Sequence, residues 1–342
     1  VKGPPTPPSP ERLLALVRGL RGRRVVVIAD LVADEFVYGR VERVSREAPV
    51  LILKYHGTEL RLGGGANAAH NIRALGGAPL TIGALGRDEH GRRLRGMLRR
   101  AGIATGTVAA DATYVTPAKT RILGGGAHST KQQMVRIDRE SQLAPGSPAH
   151  RAARAALRAI RGPVDGMLLS DYGFGLVTPG LAREAIAFAR RRRIPVTVDS
   201  RFRLLSFRGM TAATPNEPEV EAALGTRIGH DRAALEAAGR GLLRRLQARA
   251  VLITRGSDGM ALFESGRAPL HVPIYGSDQV ADVTGAGDTV IAAFTLALAA
   301  GATPAEASRL ANYAGGIVVM KHGTATVSAE ELAEAVRADL GR

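Results

Sequence analysis

The feature that most constrains this chain is the alternation of short apolar runs with amphipathic stretches between Arg24 and Thr254. Runs at 24–29, 80–85, 166–170, 195–199 and 250–254 are mostly apolar and predict buried strands. Between them, helical periodicity predicts helices over 66–75, 89–101, 179–192, 218–224 and 232–246, after a first short helix over 11–20. Strands that alternate with helices pair in parallel, because the helix supplies the crossover. The pattern therefore predicts an α/β fold built on a doubly wound, mostly parallel sheet with helices on both faces. A single domain is expected over 11–342, and residues 1–10, with five prolines, are expected to form a flexible leader outside it.

Two stretches break the rhythm. Residues 36–62 and 114–138 are β-rich and punctuated by glycine where crossover helices would otherwise fall. They predict strands outside the main sheet, either a lid over the strand ends, where ligands bind in open α/β folds, or a plain surface hairpin.

Composition narrows the function. With no cysteine there is no disulfide, thiolate metal site or cysteine nucleophile. No apolar run approaches the roughly 18 residues of a membrane span, and Val25–Ala29 is too short for a secretory signal, so the expectation is a cytoplasmic enzyme without a membrane partner. The formal charge of +16 is mostly arginine, since the lysines are Lys2, Lys54, Lys119, Lys131 and Lys321 alone. The arginines are scattered over helical segments and aromatics are 4% of the chain, which argues against nucleic acid and for small anionic ligands. The eight histidines lack metal-ligand spacing, and neither a Gly-x-Ser-x-Gly elbow nor a Walker-type phosphate loop is present.

Five segments carry candidate chemistry. Asp282-Val283-Thr284-Gly285-Ala286-Gly287-Asp288 precedes an apolar helix expected over 289–300, so its backbone N–H groups would sit at a helix N-terminus, where an anion is held and Asp288 could take a proton; a glycine turn with a capping aspartate is the plain alternative. Gly63-Gly64-Gly65-Ala66-Asn67 opens another helix and offers backbone N–H groups and an amide to a polar ligand, or simply a tight turn. Asp30 and Asp34 follow the first strand, placed to accept from sugar hydroxyls or to cap a turn. Asn216 with Glu219 suits a hydrated Mg2+ and equally a helix capping box. Thr254-Arg255-Gly256-Ser257-Asp258-Gly259 follows a buried strand and could hold a nucleotide or be an ordinary turn.

In this order, the segments resemble the ribokinase-like (phosphofructokinase B type) family of sugar kinases, from Arg23 to about Ala335. Gly63 to Gly86, with Asn67, Ala69 and Gly76 between, matches the first family signature, and Asp282 to Asp288 the second. The resemblance implies the three-layer ribokinase-like fold with a β lid that often mediates dimers, ATP and Mg2+ as cofactors, and a possible monovalent cation. It implies Asp288 as catalytic base and Gly285, Ala286 and Gly287 as the anion hole. Asn216 and Glu219 fall at the Mg2+-associated motif, and Asp34, Gly64 and Asn67 at sugar-binding positions, with Asp30 and Gly65 beside them. Thr254, Gly256 and Asn312 fall near the nucleotide, with Arg255 and Gly259 in the same turn. The runs Ser45-Arg46-Glu47-Ala48-Pro49-Val50, Lys119-Thr120-Arg121, Gln132-Gln133-Met134-Val135-Arg136-Ile137-Asp138, Leu169-Ser170-Asp171-Tyr172 and Gly323-Thr324 resemble the branch acting on D-glycero-β-D-manno-heptose 7-phosphate. This implies phosphorylation of the anomeric hydroxyl, with Gln133 and Asp171 among the substrate-binding residues. Lys119, Arg121 and Arg136 are then expected on the distal phosphate, since few lysines survive outside the lid. Asp199-Ser200-Arg201 departs from the expected Asp-Pro-Lys, leaving Arg201 to substitute for the lysine. With no nucleotidyltransferase segment before Arg342, the expectation is a stand-alone kinase.

Overall fold

The computed structural model describes residues 3, 8–125, 131–276 and 281–339. Helix α1 (Pro10–Gly19) begins one residue earlier than expected because the Ser9 hydroxyl accepts from the Arg12 N–H and proline suits the first turn. Residues 1, 2 and 4–7 of the expected leader, and 126–130 of the expected lid, lie outside the described residues. The chain continues through β1 (Arg24–Ala29), β2 (Leu31–Val44), β3 (Leu51–Gly64), α2 (Gly65–Ala74), β4 (Ala78–Gly86), α3 (Glu89–Arg100), β5 (Val108–Asp111), β6 (Ala118–Gly125) and β7 (Gln132–Arg139). Next come α4 (Pro148–Ala159), β8 (Gly166–Asp171), α5 (Pro179–Arg192), β9 (Val196–Ser200), β10 (Ala212–Ala213), α6 (Glu217–Leu224), α7 (Arg232–Leu246) and β11 (Ala250–Thr254). The last part holds β12 (Met260–Glu264), β13 (Leu270–Val272), α8 (Ala286–Ala299), α9 (Pro304–Val319) and α10 (Ala329–Ala338).

The main sheet has nine strands in the order β13-β12-β11-β10-β9-β8-β1-β4-β5. From β5 through β11 neighbours run parallel, and β12 and β13 add an antiparallel edge. Alternation along β1 divides the core: Val25, Val27 and Ala29 pack toward the side that holds α2, α8, α9 and α10, while Val26 and Ile28 pack toward α4, α5 and α7. Strand order reverses at β1, between β4 and β8, so a crevice opens at the carboxyl ends of β1 and β8.

A separate four-stranded sheet, β3-β2-β6-β7, stands over that crevice. Its strands start at Leu31 and Ala118 rather than at 36 and 114. The buried Leu31, Val32 and Ala33 carry the chain straight from β1 into the lid, and Ala33 N–H bonds to Pro117 O, which fixes where the two lid strands meet. Helix α8 starts at Ala286, three residues before the expected 289, so Asp288 lies inside its first turn. The helix is buried from Asp288 to Ala299, which is why its sequence is apolar all round. No helix among the described residues is long and apolar enough to cross a membrane.

Close approach of α2 to β1 shapes the crevice. A Cβ on Gly65 would lie 2.1 Å from the Ala29 Cβ and 3.0 Å from the Asp30 carbonyl oxygen. Gly65→Ala is expected to cost about 1–3 kcal/mol by forcing helix and strand apart, measured as a lower urea midpoint with unchanged slope.

Candidate active site

Asp288 is the point on which the crevice converges. Only 3% exposed, its carboxylate accepts from the Tyr172 hydroxyl through Oδ1 (2.8 Å) and from the Asn67 amide through Oδ2 (3.1 Å). The Asn67 amide also donates to Gly285 O (3.3 Å), and Asn71 donates to Asn67 Oδ1 (3.1 Å), which orients the amide. Burial pushes the Asp288 carboxyl up to about 7; the two donors and Lys119 oppose that rise, and Asp34 adds to it.

The backbone ahead of Asp288 is shaped by glycine. Gly285 caps α8 with φ of 79°, and a Cβ there would meet the Asn67 amide nitrogen at 2.6 Å and Thr324 Cγ2 at 2.8 Å. No side chain among the described residues caps this helix start, and Gly287 and Asp288, at the positive end of a long buried helix, line the polar cavity there. The Ala286 N–H bonds back to Val283 O (3.2 Å), so of the anion-hole residues expected from sequence Ala286 contributes its position more than a free donor. Asp282 holds the turn from outside, accepting from Thr284 N–H (2.8 Å) and Gly323 N–H (2.9 Å).

Two cavities meet at this helix start. One, about 310 Å3 and mostly apolar, lies between the turn after β11 and helix α9; Thr254, Gly256, Gly259, Met260, Ala286 and Asn312 are among its walls. The other, about 460 Å3 and polar, is lined by Asp171, Tyr172, Asp199, Arg201, Asn216, Glu219 and Asp288 among others. Thr254, Val283 and Gly287 line both. Asn312 donates to Pro273 O (2.9 Å) and so braces the wall of the apolar slot. Arg255, expected at the nucleotide, turns away instead: it pairs with Glu217 (2.9 Å) and Asp258 (3.2 Å) and donates to Gly229 O.

Asn216 and Glu219 form the capping box of α6, each side chain accepting from the other's backbone N–H. Both residues also line the polar cleft. Burial raises the Glu219 carboxyl, and Asp199 beside it lies well above the usual carboxylate range through burial and the charges of Glu219, Asp288 and Asp171. The buried Thr214 hydroxyl lining the same cleft finds no hydrogen-bond partner among the described residues. No group of three His, Asp or Glu side chains able to hold a metal alone is present among the described residues.

On the lid, Asp34 of β2 and Lys119 of β6 are direct cross-strand neighbours, and Lys119 pairs in register with Asp138 of β7. Two residues on, Phe36, Arg121 and Arg136 repeat the row on the same face. Asp34 is buried and paired with Arg121 (2.7 Å), and Gly63 packs against its carboxylate. Arg121 and Arg61 each place a guanidinium 5.3 Å from the Phe36 ring, and Arg61 reaches His322 O across to the loop that Asp282 holds. The Lys119 ammonium lies 5.4 Å over the Tyr172 ring; burial and the nearby Arg201 charge lower its pKa. Arg136 is held by Asp138 (2.8 Å), Gln133 lies exposed on the outermost strand, Lys131 covers Tyr38, and Lys54 is exposed.

Two sequence candidates turn out to build the crevice from beneath. Asp30 accepts from the backbone N–H groups of Tyr172 (3.0 Å), Phe174 (3.0 Å) and Leu176 (3.2 Å), and burial with the Asp171 charge pushes its carboxyl up to about 6. Asp171 accepts from Ser200 (2.7 Å), Arg203 and the Gly173 N–H. In this structure both carboxylates are engaged by protein donors, and Asp171 also lines the polar cleft. Gly64, at φ of 54°, lies against Val32 and the Tyr172 ring. Tyr172 itself was visible in the sequence only as part of a family-like run, because nothing local foretells that its hydroxyl reaches Asp288.

A family model described as pfkB family carbohydrate kinase matches residues 23–332, and the chain belongs to this family of ATP-dependent phosphotransferases. It is 41% identical over 318 residues to the Bifunctional protein HldE of Pelobacter propionicus, covering 93% of this chain and 64% of that protein. It is 42% identical over 308 residues to the protein of the same name from Geobacter sulfurreducens, covering 90% and 61%. The chain thus spans less than two thirds of the length of these relatives. Among solved structures, Arabidopsis thaliana ribokinase complexed with ribose and ATP superimposes with a TM-score of 0.71 at 20% identity, covering 93% of this chain and 99% of that one. Phosphofructokinase-2 from Escherichia coli gives 0.74 at 20% identity, covering 94% and 100%. These likenesses are of fold, and the fold is ribokinase-like.

The buried Asp288 carboxyl carries a stability cost with a defined sign. Its folded pKa of about 7 lies above its ordinary 3.8, so the folded chain binds the extra proton and stability falls as pH rises through that window, reaching the full loss above about 7. Asp288→Asn is therefore expected to raise the melting temperature at pH 8 by an amount worth a few kcal/mol at most, on the order of what such a shift carries. The gain should shrink toward pH 4, as read from melts of both proteins across that range.

Proposed function

We propose that this pfkB-family kinase transfers the γ-phosphoryl of ATP to the anomeric hydroxyl of D-glycero-β-D-manno-heptose 7-phosphate, giving the 1,7-bisphosphate and ADP. The observation that carries the kinase reading is the meeting of an apolar slot and a polar cleft at the N-terminus of α8, with Asp288 between them. The heptose reading is supported by the resemblance of the lid and cleft runs to that branch, and by the relationship to the HldE proteins.

In this reading the adenosine lies in the slot formed by Thr254, Gly256, Gly259 and Asn312, and its phosphates run over Gly285 and Gly287 into the cleft. Asp34, Gly64, Gly65 and Asn67 surround the sugar. Lys119, Arg121 and Arg136, with Gln133 at the edge of their sheet, take the distal phosphate; arginine binds it through paired hydrogen bonds and lysine as a point charge. Arg201, at the mouth of the cleft, adds positive charge in place of the expected lysine. Asn216 and Glu219 would hold Mg2+, which would supply charge neutralisation to the phosphates when bound.

The chemistry is an in-line displacement. The anomeric oxygen forms its bond to the γ-phosphorus while the bond to the β,γ-bridging oxygen breaks and ADP departs. Asp288 takes the hydroxyl proton, and the N–H groups of Gly287 and Asp288 meet charge on the transferring group. Closure of the lid keeps out water that would hydrolyse ATP. The lid edge also suits pairing of two copies: β7 is exposed along its length and presents Met134, Val135 and Ile137. A monovalent cation is a further cofactor to score by comparing potassium with sodium.

An ADP-release panel of heptose 7-phosphate, fructose phosphates, ribose and adenosine tests the substrate; preference for any other acceptor replaces the heptose reading. Asp288→Asn is expected to lose several orders of magnitude in kcat with near-normal ATP binding, and retained turnover would remove it as base. Lys119→Ala should raise the sugar-phosphate KM far more than the ATP KM, whereas equal effects would sink its assignment to the distal phosphate.

A further inference from the structure

We infer that Tyr172 is a positioning residue for Asp288: its hydroxyl orients the carboxylate and favours the ionised form in a buried place, and so contributes to the pH at which the enzyme becomes active. This rests on Asp288 acting as the base, as proposed above. Each Asp288 oxygen accepts one fixed donor, Tyr172 on Oδ1 and Asn67 on Oδ2, which leaves each a lone pair for the acceptor hydroxyl. Torsion of the carboxylate is thereby removed before substrate arrives.

The phenol is itself held on every side. Its backbone N–H is tied to Asp30, as are those of Phe174 and Leu176, so the whole turn after β8 hangs on one buried carboxylate. Beneath the ring, Gly64 leaves room that a Cβ would take, at 3.3 Å from the ring carbon Cδ2. Above it lies the Lys119 ammonium of the lid. Burial and the Asp288 charge hold the phenol far above its ordinary range, so it remains a donor at all working pH values. The other charged groups facing Asp288 are Asp34 from β2, Lys119 from β6 and Asp199 from β9; replacing the phenol oxygen leaves all of them in place.

Tyr172→Phe keeps the ring for Gly64 and Lys119 and deletes the donor. A hydrogen bond to a charged group is worth enough to move the acidic limb of the kcat profile up by about one pH unit, and loss of orientation should lower kcat at its plateau by roughly tenfold or more. The ATP KM should stay within about twofold. Fluorotyrosine at position 172 strengthens the same donor and should move the limb the other way, a reversal that a merely structural role would not produce. Titration of the 13C-labelled Asp288 carboxyl, assigned by its loss in Asp288→Asn, reads the same shift without substrate. If wild-type chain turns over no acceptor in the panel, the kinase reading fails while this titration still judges Tyr172. An Asp288 midpoint and kcat limb unmoved by both substitutions would overturn the inference.

Discussion

The site depends on keeping one carboxylate usable where water is scarce. Burial favours the protonated form of Asp288, and a protonated acid cannot act as the base proposed here. Two neutral donors from distant parts of the chain, Asn67 on α2 and Tyr172 after β8, together with the Lys119 charge, oppose the rise that burial drives, and the carboxyl stands at about 7. Most other features of the crevice serve to hold those donors. Asn71 orients Asn67, Asp30 gathers the Tyr172 turn, Gly65 lets α2 close on β1, and Gly285 makes room for the Asn67 amide.

The same packing explains why the lid and the main sheet act on one another. Strand β2 follows β1 after the single residue Asp30, so the lid is anchored at the switch point of the sheet rather than at its rim. Arg61 of β3 reaches the loop at His322, whose neighbour Gly323 bonds Asp282, and Asp282 in turn shapes the glycine turn before α8. The lid strands and the turn before α8 thus share one hydrogen-bonded frame. Charge is divided along it: the lid brings Lys119, Arg121 and Arg136, while Asp171, Asp199, Glu219 and Asp288 gather at the strand ends.

Legibility in the sequence followed the range of the interactions. Strands β1 and β11 and helices α5 and α7 have the bounds that periodicity predicts, because each is a continuous amphipathic or apolar segment with its own caps. Helices α4, α9 and α10 and strands β5, β10, β12 and β13 were not assigned from pattern. The strands are short, and the buried side of α9 is rich in alanine and glycine, which speak weakly. At the site, Asn216 and Glu219 form the capping box that their spacing allows, and both line the polar cleft. Arg255 pairs with Glu217 instead of facing the slot, and its turn sequence held no sign of that partner 38 residues away.

By itself the sequence determined the α/β class, the glycine turn that opens α8, and the order of motifs that marks a sugar kinase, since backbone preference and hydrophobic period act over a few residues. Only the tertiary structure decided which carboxylates are free to do chemistry. Asp30, Asp34, Asp171 and Asp288 look alike in a string of letters; what separates them is whether backbone N–H groups, an arginine or two neutral side-chain donors bind them, and those partners come from elements far apart in the chain.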